Sequence, residues 1–363
     1  DLVVTSYDLL RRDEALYEGQ EFYACILDEA QAIKNHTTQK YKAVCKVRSR
    51  VRFALTGTPV ENRLGELWSI FSFLMPGYLP PYKSFCSRFE KPIVQEEDQT
   101  AVRRLNQLTG PFILRRMKSD VLKELPPKTE NVYRIELEEE QRKLYLAAVV
   151  DAREKLQAAK PEDKMAVFAV LMRLREICCD PRLIADNWEG GSAKLDACAE
   201  LVSSAVEGGH RILLFSQFTS MLELLAKRLD AEGISHFTLQ GSTPKPVRAE
   251  LVRRFNGGEV SVFLISLRAG GTGLNLTAAD IVIHYDPWWN VAAQNQATDR
   301  AYRIGQRNPV QVYRLIAQDT IEEKIVELQQ AKQSLADTVT GGADGAILSM
   351  NPEQLLQLLG EEA

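Results

Sequence analysis

Apolar residues along this chain fall into two rhythms. Short, nearly unbroken runs recur in the first and last thirds: "LVVTSY" (2–7), "FYACIL" (22–27), "RFALT" (52–56), then "RILLFS" (211–216), "SHFTLQ" (235–240), "SVFLIS" (261–266), "DIVIHY" (280–285) and "VQVYRLI" (310–316). Such runs suit strands covered on both faces, and stretches at helical spacing separate them, so an α/β fold with parallel sheets and crossover helices is predicted at each end. The middle differs. "EEEQRKLYLAAVVDAREKLQAA" (138–159) and "KMAVFAVLMRLREICCDP" (164–181) carry apolar residues at helical spacing, punctuated by Pro126, Pro127, Pro161 and Pro181. The predicted organisation is a first lobe over 1–115, a helical insertion and linker over 116–190, a second lobe over 191–330, and a brace with an acidic tail over 331–363. Because an apolar strand is already under way at Asp1, further strands of the first lobe are expected upstream.

With 363 residues and 45% hydrophobic content there is material for two or three buried cores. A net charge of −4 excludes a uniformly basic nucleic-acid binder, although two basic segments stand out. Lys40, Lys42, Lys46, Arg48, Arg50 and Arg52 form one, and Arg103, Arg104, Arg115, Arg116, Lys118 and Lys123 the other. Each is either a phosphate groove or a solvated helix face. No apolar run approaches the roughly 20 residues that span a bilayer, and the first residues lack a leader pattern, so no membrane association is expected and the location predicted is cytoplasmic, nucleoid-associated in a prokaryote. Cys25, Cys45, Cys86, Cys178, Cys179 and Cys198 form no C-x-x-C pair and read as reduced core thiols.

Chemistry-bearing residues follow the apolar runs. Asp28 and Glu29 come directly after Phe22–Leu27, at the end of a strand where α/β sheets collect ligands. An aspartate there can hold Mg²⁺ while its neighbour orients a water; the plainer alternative is that "DEA" begins a helix whose dipole favours acids. Thr56 and Thr58 in "LTGTPVEN" either sense a phosphate or cap a turn. "LISLRAGGTGLNL" places Gly270, Gly271 and Gly273 where a backbone can approach an anion. "QNQATDRAYRIGQ" predicts a helix ending near Gly305, with Gln296, Arg300 and Arg303 on one face. Two guanidiniums so placed suit a phosphate under cleavage, an effect worth about 10³ to 10⁵ in rate, or else pair with acids such as Asp299. Trp288 and Trp289 in "DPWWN" stack on bases or anchor packing.

Taken in order, these segments resemble the Swi/Snf-type ATPases, double-stranded DNA translocases of the second helicase superfamily. "LDEAQAIKN" resembles that family's Walker B motif, "LTGTPVENRLGELWSIFSFLMPGYL" its third motif, and "PFILRR" with "LPPK" its inter-lobe stretch. "LMRLREICCDPRLI" and "SAKL" resemble the start of its second lobe. "RILLFSQFTSMLELL", "LQGSTPK", "SLRAGGTGLNLTAADIVIHYDPWWN" and "QATDRAYRIGQ" resemble its fourth to sixth motifs. The resemblance implies two RecA-like lobes, the first partial, with ATP and Mg²⁺ as cofactors. It implies Asp28 for Mg²⁺, Glu29 for the attacking water, Arg300 and Arg303 for the γ-phosphate, and Gln296, Thr56, Gly271 and Gly273 at the nucleotide side of the lobes. Thr58, Ser216, Gln217, Ser266 and Arg268 would face the DNA backbone. The implied partner is double-stranded DNA, the implied targets DNA-bound proteins such as RNA polymerase or other nucleoprotein, and the implied state a monomer.

Three departures qualify it. Gln31 stands where many relatives have His, and Val291 replaces a proline. No glycine is followed by lysine, so the G-x-x-x-x-G-K-[ST] loop that cradles phosphates is absent, as is the adenine-reading segment. The chain is therefore expected to be the C-terminal majority of an ATP-dependent motor, inactive alone. Two rival readings are a non-catalytic DNA- or protein-binding module and a strand-separating helicase.

Overall fold

The computed structural model describes residues 1–57, 64–96, 98–116, 118–160, 163–185, 187–270, 273–329 and 352–359, apart from the side chains of Ser119, Asp120 and Arg268. Two units separate between Arg115 and Arg116. Among the described residues no helix is long and apolar enough to cross a membrane.

In the first unit, strands β1 (Glu21–Leu27) and β2 (Arg48–Ala54) pair in parallel, with Leu27 opposite Ala54. One face packs Leu27 with Leu10, Ala30, Ile33, Val44 and Phe73; on the other, Ile26 and Phe53 remain 62% and 52% exposed. Arg52 lies on the covered face. Its guanidinium donates to Phe73 O (2.7 Å) and Val47 O (3.0 Å) and sits over the Phe73 ring, so burial is met by hydrogen bonds. Lys40 and Lys46 pair with Asp8 and Glu14. The first basic segment is thus dispersed into separate contacts. A second core gathers Leu64, Leu67, Phe71, Phe85, Phe89 and Leu105.

The run "LVVTSY", predicted as a strand, is not one. Residues 1–6 have no regular structure, Leu2 and Val4 are exposed, and a helix begins at Tyr7, capped by Ser6 Oγ on Leu9 N–H. Strand propensity counts only where a ladder partner exists, and among the described residues β1 pairs with β2 alone.

The second unit holds six parallel strands in the order β3-β8-β7-β4-β6-β5. They are β3 (Lys128–Ile135), β4 (Ile212–Ser216), β5 (His236–Leu239), β6 (Val262–Ser266), β7 (Ile281–His284) and β8 (Val310–Ala317). Central β4 is buried on both faces: Ile212 and Leu214 enter one core, Leu213 and Phe215 the other. That double burial explains its unbroken apolar sequence.

The stretch 116–190 departs from the predicted helical insertion, since it supplies an edge strand. β3 runs beside β8, Lys128 opposite Val310 through Ile135 opposite Ala317. All but its last residue are exposed, so its sequence lacks the apolar density of the inner strands. The helices Glu139–Ala158 and Lys164–Cys179 do form, and they pack with Ile321, Ile325, Trp289 and Leu355 in a third core. Polar bonds reinforce this. Gln141 Nε2 donates to Ile177 O, Ile321 N–H to Tyr145 Oη and Tyr285 Oη to Cys179 O. Lys194 and Glu322 form an ion pair with neither side chain exposed to solvent. All six cysteines are free, and Cys178, Cys179 and Cys198 are fully buried.

Candidate functional site

Asp28, Glu29 and Thr56 follow the carboxyl ends of β1 and β2. Leu55 N–H donates to Leu27 O (2.7 Å) and Ala30 N–H to Leu55 O (2.9 Å), which closes the two strand ends onto one another. Between them Asp28 and Glu29 project into solvent. Glu29 adopts the left-handed conformation, φ 49° and ψ 52°, costly for a residue with a Cβ and frequent at functional sites. The acids do not cap a helix: the Ala30–Ile33 turn that follows has no side-chain cap. Asp28 Oδ1 instead accepts from Glu29 N–H (2.9 Å), and Tyr7 Oη donates to Asp28 O (2.7 Å). Burial, then the Asp28 carboxylate, push the Tyr7 phenol up to about 12, so it remains a donor.

A side-chain relay crosses the strand ends. Thr56 Oγ1 donates to Gln31 Oε1 (2.8 Å), and Gln31 Nε2 donates to Glu29 Oε2 (2.5 Å). The amide offers an acceptor to one neighbour and a donor to the other, a bridge that a carboxamide makes without titrating. Gln31, the departure from the resembled pattern, is thereby placed between Glu29 and Thr56. Thr58 lies outside the described residues.

Asp28 also meets the requirements of the implied Mg²⁺. Its carboxylate is exposed, one oxygen is fixed by the Glu29 amide, and among the described residues Oδ2 makes no bond. Magnesium prefers one or two such carboxylates with phosphate oxygens and waters, and no cluster of three or more ligating side chains occurs among the described residues.

In the second unit Ser216, Gln217, Ser266 and Gly270 lie at or just after carboxyl ends of strands. Ser216 and Ser266 end β4 and β6, stand opposite each other in register, and are buried. Ser216 Oγ donates to Asp286 Oδ1 (2.6 Å), and Gln217 N–H reaches the same oxygen (3.2 Å). Asp286 Oδ2 accepts from Arg175 Nη2 (3.1 Å), and the Arg175 guanidinium lies 4.2 Å from the Trp289 ring centre. Burial raises the Asp286 carboxyl even with that guanidinium beside it. Ser216 therefore shapes its loop from within, whereas the Gln217 side-chain amide is buried and has no hydrogen-bond partner among the described residues. Trp289 is a packing anchor.

The glycine turn is described in part. Gly270 is required by packing, because a Cβ there would lie 2.7 Å from the Phe215 ring; Gly273 has φ +53° and open space around it. Gly271 and the Arg268 side chain lie outside the described residues.

The predicted arginine helix is shorter than expected. It spans Val291–Thr298, and residues 299–305 continue as turns. Its end has two causes. Thr298 Oγ1 is bonded to buried His284 Nε2 (2.9 Å), and Arg300 O accepts from Leu276 N–H (3.0 Å), which draws the backbone off the helical ladder. Gln296, Arg300 and Arg303 thus do not share one helix face. Arg300 is buried, and Arg303 Nη1 donates to Leu274 O (3.1 Å), beside Gly273. Asp299 pairs with Lys118 (2.6 Å), not with an arginine neighbour.

Sequence reading missed Tyr7, Arg175, His284, Asp286 and Gln306. Gln306 Nε2 donates to Ala279 O (2.7 Å) and Ala301 O (3.1 Å) and fixes the turns that carry both arginines. A signal existed for His284, a polar residue inside the otherwise apolar run "IVIHY", which demands a buried partner.

Paired acids follow one parallel sheet, and glycines follow an inner strand of the other, in an α/β chain of two units. Residues 1–183 match the SNF2-related domain and 193–305 the helicase conserved C-terminal domain; the chain belongs to the SNF2-related family, and its units are RecA-like lobes. It is similar to a Mycoplasma pneumoniae protein named as an uncharacterized ATP-dependent helicase, 40% identical across 99% of this chain and 34% of that one. The mouse SWI/SNF-related matrix-associated actin-dependent regulator of chromatin subfamily A member 1 is 37% identical over 93% of this chain and 34% of its own length. The chain thus spans about a third of each of these curated relatives. Among solved structures, the Sulfolobus solfataricus SWI2/SNF2 ATPase core in complex with dsDNA is similar with a TM-score of 0.56 and 34% identity, over 98% of this chain and 76% of that one.

Proposed function

We propose that the chain supplies the acid-bearing part of the first lobe and the whole second lobe of an ATP-driven translocase on double-stranded DNA, which remodels DNA-bound protein. The observation that carries this reading is the exposed Asp28–Glu29 pair, with Glu29 held in a left-handed turn and tied through Gln31 to Thr56. In this reading Asp28 would hold Mg²⁺, which neutralises charge on the β- and γ-phosphates of ATP. Glu29 orients the attacking water, and the Gln31–Thr56 relay reports the state of that carboxylate to the end of β2. Arg300 and Arg303 bring positive charge to a γ-phosphate, with Gln296, Gly271 and Gly273 on the nucleotide side. Gln217, with Thr58 and Arg268, grips the phosphates of one strand of the duplex, a contact that positions without reading sequence. Ser216 and Ser266 act by shaping these loops from below.

The test is ATP hydrolysis by the natural protein at full length, with and without duplex DNA. Duplex-stimulated phosphate release is expected, and Glu29→Gln should abolish it while nucleotide binding persists. The 363-residue chain alone should release no phosphate above background, since it contains no GK[ST] loop. Full turnover by Glu29→Gln would refute the assignment.

A further inference from the structure

The peptide that joins Asp28 to Glu29 is held at both of its polar ends. Its carbonyl, Asp28 O, accepts from Tyr7 Oη at 2.7 Å, and its amide, Glu29 N–H, donates to Asp28 Oδ1 at 2.9 Å. A peptide plane in a turn interconverts by flipping, which exchanges the directions of the carbonyl and the amide and changes φ of the residue that follows. Here that residue is Glu29, already at φ 49°. A flip would break the Asp28 Oδ1 bond, releasing that carboxylate from the amide that fixes it, and would carry Glu29 away from its present φ. The flanking bonds to Leu55 secure Leu27 and Ala30 but leave this plane free to turn. The Tyr7 hydroxyl holds it from outside the turn.

Tyr7 is itself firmly seated. Ser6 Oγ caps its helix, Leu10 is buried in the core with Leu27, Ala30 and Ile33, and the Tyr7 ring packs against that cluster. The same helix is tied to the neighbouring helix Gln39–Lys46 by the Asp8–Lys40 ion pair at 3.1 Å. Nothing in the ring packing requires a hydroxyl, so its hydrogen bond to Asp28 O must be accounted for by what it holds.

We infer that Tyr7 is a positioning residue for the acidic pair: its hydroxyl pins the Asp28–Glu29 peptide and so keeps the Asp28 carboxylate on the Glu29 amide and Glu29 in its left-handed turn. This rests on the function proposed above, in which those carboxylates serve Mg²⁺ and the attacking water. Groups that orient a metal ligand from behind typically change affinity or activity about 10- to 100-fold when removed.

Tyr7→Phe keeps the ring and deletes the hydroxyl; Tyr7→Leu deletes both. In the full-length protein Tyr7→Phe should lower kcat for ATP by about 10- to 100-fold, raise the Mg²⁺ concentration for half-maximal rate, and leave the KM for duplex DNA unchanged. Tyr7→Leu should do no worse than a further few-fold. A second readout needs no turnover: in the 363-residue chain, Tyr7→Phe should raise amide hydrogen exchange across residues 28–33 and leave the second unit unaltered. If Tyr7→Phe matches the wild type in rate and exchange while Glu29→Gln is inactive, the pin is refuted and the proposed function stands. If Tyr7→Phe and Glu29→Gln both turn over at the wild-type rate, the role given to the acids is refuted and the inference falls with it.

Discussion

Lys194→Met should destabilise the second unit through the carboxylate it leaves behind. Lys194 and Glu322 are both at 0% side-chain exposure, and beyond the lysine the carboxylate has a single further contact, Ala317 N–H to Oε2 at 2.8 Å. Its Oε1 has no partner among the described residues. Removing one member of a buried ion pair costs about 3–5 kcal/mol, because the survivor remains desolvated and unpaired. With a urea slope of about 2–3 kcal/mol per molar, the midpoint should fall by about 1 to 2.5 M. Fluorescence of Trp188, Trp288 and Trp289, all in the second unit, follows the transition. Adding Glu322→Gln to Lys194→Met removes the stranded charge and keeps an acceptor for Ala317, so the double variant should recover much of the loss. The single variant should also gain stability on acidification, since burial already holds the Glu322 carboxyl above its ordinary range and the folded state then takes up the proton more readily than the unfolded chain. Losses that simply add in the double variant would refute the coupling.

Two further outcomes concern the same unit. Burial, then the Arg314 charge, lower His284 from 6.5 to about 3. The unfolded chain therefore takes a proton below about pH 6.5 that the folded state refuses, and stability should fall by up to about 1.4 kcal/mol per pH unit between those values; urea titrations at several pH values should show a flatter profile for His284→Gln. Gly270→Ala would drive a Cβ to 2.7 Å from the Phe215 ring, and overpacking of this kind costs about 1–3 kcal/mol, measurable as a lower urea midpoint.

Inner strands were legible because burial on both faces leaves little room for polar residues: β4, β6 and β7 follow their apolar runs nearly residue for residue. β3 was not, since an exposed edge strand tolerates Lys128, Glu130 and Arg134. The run at 2–7 had strand propensity and no ladder. The acids at 28 and 29 could be found from their place after an apolar run. The relay through Gln31 could not, because it depends on Thr56 arriving from a separate strand. Helical spacing suggested one face for Gln296, Arg300 and Arg303, and the tertiary bonds at Thr298 and Arg300 ended the helix first.

The edge strand also carries a consequence for synthesis. Glu130 and Arg314, whose side chains bond across β3 and β8, stand 184 positions apart, so a ribosome delivers β3 long before its neighbour exists. Throughout that interval the nascent segment has no mate, and its alternating charges discourage it from annealing to strands of other molecules. A product that stopped before Val310 would never close that seam, and quality-control proteases would meet it with a β edge still unfastened.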